Sequence, residues 1–233
     1  MLDRNAVEKL IRESVERNKK SRKEYYLFNR ILVSVRDNVF PNIDFNEIIK
    51  EIEEYMPAHL FEDIDDIFVG SFSENDDRAL EAHYESGAIY ITSDLILNKD
   101  YIENIVHEAA HALESRLGLS IYGDKKIEFE FLGKRERLAA RMSSEGIDIS
   151  SIDFKDPEYS AEFDLFLYKD VGYEKLTNLT MGLFNSPYAA TSLREYFANG
   201  FEEYFLGRRE DLPMVTPQLF VKLEEIIGDK YGY

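Results

Sequence analysis

The chain has 233 residues, of which 44% are hydrophobic and 13% aromatic, enough for a packed core and against wholesale disorder. Its 46 acidic and 28 basic residues give a net charge of −18, which argues against nucleic acid as a partner because phosphate binding needs a cationic surface. There is no cysteine, so disulfides and thiolate metal ligands are both excluded.

In chain order, the N-terminus Met1-Leu2-Asp3-Arg4-Asn5 carries charge where a signal peptide would need an apolar core. No run of about 18 apolar residues exists anywhere, so no membrane span is expected. A cytoplasmic location follows as the expectation, unless another chain or a virion delivers the protein. Residues 2–40 read as helix, with Leu2, Val7, Leu10, Ile11 and Val15 at near-helical spacing. Arg17, Lys19, Lys20, Arg22 and Lys23 form the one basic cluster, read as a solvated face. Pro41 ends this N-terminal helical segment, 1–41, and a larger domain is expected over 42–233.

A helix over Phe45 to Tyr55 is expected to open that domain. Strands follow at Ile67-Phe68-Val69, Leu80 to Tyr84 and Ala88 to Thr92, the last two joined by a turn at Glu85-Ser86-Gly87. The next helix has Asp100 and Glu103 as a capping box and Gly118 at its end. Ile102, Val106, Ala109, Ala110, Leu113 and Leu117 give it an apolar stripe. Helical periodicity returns over Ile127 to Ser144, with a break expected at Gly133, and from Pro157 to Tyr168. Thr191 or Ser192 starts a helix to Leu206, and Thr216-Pro217 starts the last one. The fold class expected is α+β, with a small mixed sheet and a helical C-terminal half.

The chemistry concentrates in His107-Glu108-Ala109-Ala110-His111. On a helix, four residues span about 6 Å of rise and about 40° of rotation, so both imidazoles leave one face and can grip one ion. Glu108 then stands where a general base for the attacking water is needed. A catalytic zinc usually takes three protein ligands. The extended pattern with a third histidine fails, because Glu114 and Leu117 occupy its glycine and histidine positions. His59 and His83 precede the motif and read as ordinary surface or strand histidines.

A glutamate on a later helix is the other route to a third ligand, and Glu195 is the candidate. Leu193, Phe197, Phe201, Tyr204 and Phe205 are expected to pack that helix inward. Ser192-x-x-Glu195 is equally a capping box, so Glu195 has a purely structural alternative. Glu202 and Glu203 compete from further along the helix.

The run from Tyr188 to Phe201 resembles the C-terminal signature of the anthrax lethal factor-like zinc metallopeptidases, in the gluzincin branch. In that family a tyrosine precedes the ligand glutamate by seven residues, and the glutamate opens an E-x-F-A-x-x-F helix. Here Tyr188 and Glu195 keep that spacing, and Glu195-Tyr196-Phe197-Ala198-Asn199-Gly200-Phe201 fits the helix. The resemblance covers roughly residues 45–118 and 184–228 and is sharp in the two motif segments. It implies a zincin-like fold and a zinc endopeptidase acting on a peptide or protein substrate. It further implies His107, His111 and Glu195 as zinc ligands, Glu108 as general base and Tyr188 as oxyanion donor.

Asn199 departs from the pattern, standing where the family has an acidic residue that orients a ligand histidine. Residues 119–187 are longer than the family requires and read as a mostly helical insertion beside the cleft. The strand Ala88 to Thr92 is expected to bind an extended peptide by edge addition. A zincin-fold protein that binds metal without turnover is the alternative to an active peptidase.

Overall fold

The computed structural model describes residues 22–72 and 81–228, and over these the chain is α+β. They fall into two compact units, one ending at Ala112 and the other beginning at Leu113.

The first unit is built on a five-stranded mixed sheet. Its strands are β1 (Lys23–Leu27), β2 (Ile31–Val35), β3 (Asp66–Gly70), β4 (Ala82–Glu85) and β5 (Ala88–Thr92). The spatial order is β1-β2-β3-β5-β4, with β2-β3 and β3-β5 parallel and the two outer pairs antiparallel. Ile31, Val33 and Val35 on β2, Ile67 and Val69 on β3, and Ile89 and Ile91 on β5 are all buried, the period-two pattern of a covered sheet face. Helix α1 (Phe45–Tyr55) buries Phe45, Ile48 and Ile52 and is capped by Asp44, whose carboxylate accepts the Asn46 N–H. Phe45 contacts Tyr25 of β1 and, edge-on, Tyr101 of the next helix.

Two expectations are corrected here. The helix read over residues 2–40 is not present in its described part, because residues 23–35 form the β1-β2 hairpin; residues 2–21 lie outside the described residues. The β-branched alternation Ile31, Val33, Val35 outweighs the helical spacing upstream. Phe28 and Asn29 both take left-handed backbone, which turns the chain back on itself. Residues 22–41 therefore belong to the sheet-bearing unit, not to a helical segment ending at Pro41. The second correction concerns Ala88 to Thr92, which pairs on both sides, with β3 and β4, and has no free edge. The outer strand on that side of the sheet is β4. The β4-β5 turn lies where expected, with Ser86 and Gly87 both at positive φ.

Helix α2 (Asn98–Tyr122) is one uninterrupted helix whose residues to Ala112 belong to the first unit and whose remainder belongs to the second. It starts earlier than expected, with the Asp100 carboxylate accepting the Leu97 N–H. It runs past Gly118, whose cost of about 1 kcal/mol is outweighed by burial of Ile121 one turn on.

The second unit continues with α3 (Lys126–Ser144), unbroken at Gly133, and α4 (Ala161–Leu165), which leads into a π-helical turn, Phe166–Val171. Ser160, not Pro157, caps α4. Helices α5 (Tyr173–Thr180), α6 (Leu193–Leu206), α7 (Leu212–Val215) and α8 (Pro217–Gly228) complete it. Helix α8 packs on α3 and α6, and α3 packs on α5 and α6, so the segment 119–187 shares its core with the C-terminal helices. Gly200 lets α6 and α8 approach closely, since a Cβ there would collide with the Leu219 side chain. Among the described residues, no helix is long and apolar enough to cross a membrane.

Two neighbouring cations on α3 are buried in this unit. Lys134 Nζ donates to the carbonyls of Leu183 (2.6 Å) and Val215 and lies over the rings of Tyr196 and Phe184. Burial pushes its pKa down to about 8. Below pH 8 the amine is charged in both folded and unfolded chains. Between pH 8 and about 10.4 only the unfolded chain keeps the proton, so this group's contribution to stability rises with pH. Denaturant unfolding of wild type and Lys134→Met should therefore diverge from pH 8 to 10 in favour of wild type, by at most about 1.4 kcal/mol per pH unit. A pH-independent difference would show that Lys134 stays charged in the folded protein.

Candidate metal centre

The face of α2 that carries His107, His111 and Glu114 follows directly from their spacing, i, i+4 and i+7. The two imidazoles lie 5.0 Å apart at 77°. His111 is 9% exposed and Glu108, on the same helix, 8%. These groups are withdrawn from bulk water but not sealed from it.

Glu195 enters on the first turn of α6. Ser192 caps that helix, its hydroxyl accepting the Glu195 N–H at 3.1 Å, so half of the capping box is present. The Glu195 carboxylate nevertheless belongs with the histidines. One donor atom from each of His107, His111 and Glu195 lies within 4.8 Å of the other two, the group among the described residues that could hold a metal ion. A tetrahedral ion about 2.0–2.2 Å from each donor sets the donors roughly 3.4 Å apart, a separation that this limit admits. Two imidazole nitrogens and a carboxylate oxygen suit zinc among the borderline divalent metals.

An ion pair holds this arrangement beside the donors. Arg194 Nε donates to Glu114 Oε2 at 2.9 Å, and the Tyr122 hydroxyl donates to the other carboxylate oxygen. Glu114 is buried, whereas the Arg194 side chain is 56% exposed. Burial works against the arginine's charge, but the hydrogen bond and charge of Glu114 carry its pKa above the ordinary value. Burial and then the charge of Glu114 push the Tyr122 phenol well above its usual range, so it remains a donor. Three residues from His111 and one from Glu195, this pair ties α2 to the first turn of α6.

The remaining candidates have definite places. Tyr188 opens a one-turn 3₁₀ helix, Tyr188–Ala190, and is 42% exposed. The Asn199 Oδ1 accepts a hydrogen bond from the Ser186 hydroxyl, on the segment that leads to Tyr188. Glu203 closes the end of α6 by accepting the Arg208 N–H. His83 stacks on Tyr90 within the sheet. Leu193, Phe197, Phe201 and Tyr204 are buried as expected, joined by Tyr196, whereas Phe205 is only half-buried.

Glu114, Arg194 and Tyr122 were not anticipated as parts of the site. The signal available was that Glu114 continues the histidine stripe and Arg194 directly precedes Glu195. No known family matches the chain, and no curated protein or solved structure is significantly similar to it.

Removing a group that orients metal ligands typically costs 10–100-fold in affinity. Arg194→Gln should therefore weaken zinc binding by about 10-fold at unchanged helix content, measured by competition with a chromophoric chelator. Unchanged affinity would show that Glu195 is placed without the ion pair.

Proposed function

We propose that the chain is a zinc-dependent endopeptidase of the lethal factor-like, gluzincin kind, with a zincin-like catalytic fold. The observation that supports this best is the convergence of Glu195 with His107 and His111 on the helix that also carries Glu108. Two histidines and a carboxylate also hold iron(II) in oxygenases. The carboxylate of Glu108, next in sequence to one of the histidines, favours hydrolysis, because such a site needs a proton acceptor beside the attacking water.

Zinc, when bound by His107, His111 and Glu195, supplies a Lewis acid that polarises the scissile carbonyl and acidifies water. Glu108 takes a proton from the attacking water as its oxygen bonds to the carbonyl carbon. The same carboxyl then gives that proton to the leaving nitrogen as the C–N bond breaks, yielding a carboxylic acid and an amine, which pass the second water proton between them to end as carboxylate and ammonium. The Tyr188 phenol donates a hydrogen bond to the carbonyl oxygen as it gains negative charge. An extended substrate adds to the outer strand β4, not to β5. Glu81, just before β4, accepts a hydrogen bond from Asn104, one turn before His107, which keeps the start of that strand close to the motif helix. The net charge of −18 favours neutral or basic peptides.

The deciding experiment profiles a diverse peptide library with zinc-loaded wild type and Glu108→Gln, with and without chelator. Wild type alone should cleave, and the variant should bind zinc but lose at least about 10³-fold in rate. Zinc binding with no cleavage by wild type would favour a metal-holding binding protein instead. On any substrate found, Tyr188→Phe should lower kcat by about 10²–10³ with little change in KM. An unchanged kcat would remove Tyr188 from the reaction.

A further inference from the structure

A three-residue 3₁₀ turn has little stability of its own, so the position of Tyr188 must be set by what holds that turn. Within it, the Tyr188 carbonyl accepts both the N–H (3.0 Å) and the hydroxyl (2.8 Å) of Thr191, and the Ala190 N–H reaches the Pro187 carbonyl. Two further residues grip it from outside.

On one side, the Ser186 hydroxyl accepts the Ala189 N–H at 3.2 Å and gives its own proton to Asn199 Oδ1 on α6. On the other, Arg135 of α3 is 1% exposed and spends its guanidinium on main-chain carbonyls. Its Nε donates to Ala190 (3.0 Å), Nη2 to Thr191 (2.9 Å) and Nη1 to Asp156. The guanidinium also lies 3.9 Å from the centre of the Phe163 ring. Burial draws its pKa down to about 10, which still leaves it charged at neutral pH. A planar fork that donates to three separate carbonyls is something lysine cannot reproduce.

We infer that Asn199 and Arg135 are positioning residues for the turn that carries Tyr188, and that Asn199 acts there and not on a ligand histidine. Asparagine at 199 is then no weakened version of an acidic partner for histidine. It is the acceptor that fixes the Ser186 hydroxyl, and through it the Ala189 N–H. The lever is long: a turn rotation of about 10° would displace the phenolic oxygen by about 1 Å, a misplacement able to cost about 10²-fold in rate. The inference rests on the peptidase reading only for what Tyr188 does.

Its test needs no peptide substrate. Zinc affinity, measured with zinc alone, and backbone hydrogen exchange at Ala189, Ala190 and Thr191 are compared across zinc-loaded wild type, Ser186→Ala, Asn199→Leu, Asn199→Asp and Arg135→Lys. In Ser186→Ala and Asn199→Leu, exchange at Ala189 should quicken about 3–10-fold, the loss of one hydrogen bond, while zinc affinity stays within about 3-fold. Asn199→Asp still offers an acceptor to Ser186 and should restore wild-type exchange. Arg135→Lys should quicken exchange at Ala190 and Thr191. A zinc affinity that falls 10-fold or more in Asn199→Leu, with exchange in the turn unchanged, would assign Asn199 to a histidine and overturn the inference. Unchanged exchange in all variants would overturn it as well. Failure of the chain to cleave any peptide would leave these readouts intact and count against the peptidase reading alone.

Discussion

Everything proposed for this protein depends on the way the first turn of α6 is fixed against α2. Three donor atoms from two helices must converge to within the reach of one ion. Apolar packing alone leaves helices free to slide by an ångström or more. The buried Glu114 carboxylate restricts that freedom, because it accepts hydrogen bonds from both Arg194 and Tyr122. Breaking one partner of a buried pair costs about 3–5 kcal/mol, less where one partner is half-exposed as Arg194 is.

The same device recurs one layer further out. Lys134 and Arg135 are buried on adjacent positions of α3, and both direct their donors at main-chain carbonyls and aromatic faces. Burying a cation is costly unless hydrogen bonds replace its water, and here they do. Each cation collects carbonyls from loops and from the ends of short helical turns. Lys134 gathers Leu183 and Val215, and Arg135 gathers Asp156, Ala190 and Thr191. Residues 119–187 therefore form the framework that holds the approach to Glu195, more than a cover laid beside a cleft.

Much of this was legible in the residues, and the rest was illegible for identifiable reasons. The cap at Ser192 and the turn at Ser86-Gly87 announced their elements, because each is a local signal with a local cause. The donor set His107, His111 and Glu195 was legible because helix geometry fixes i and i+4 and a motif spacing carried the third member. The β1-β2 hairpin was missed because a helical pattern upstream was extended through residues whose alternation favours a strand. The pairing of β5 on both sides was hidden, since strand order is a long-range property. Arg135 and Glu114 gave no sign of burial, because a charged side chain on a helix normally faces water. What buries them is the partner segment, which lies many residues away.

The central claim is that one metal ion is held by two histidines and one glutamate on these two helices. X-ray absorption on the protein loaded with a single equivalent of zinc tests it most directly, because outer-shell scattering counts imidazoles. The account predicts two imidazoles with oxygen ligands at about 2.0–2.2 Å, and loss of one oxygen ligand in Glu195→Ala. A zinc surrounded by oxygen alone, or by a single imidazole, would contradict it.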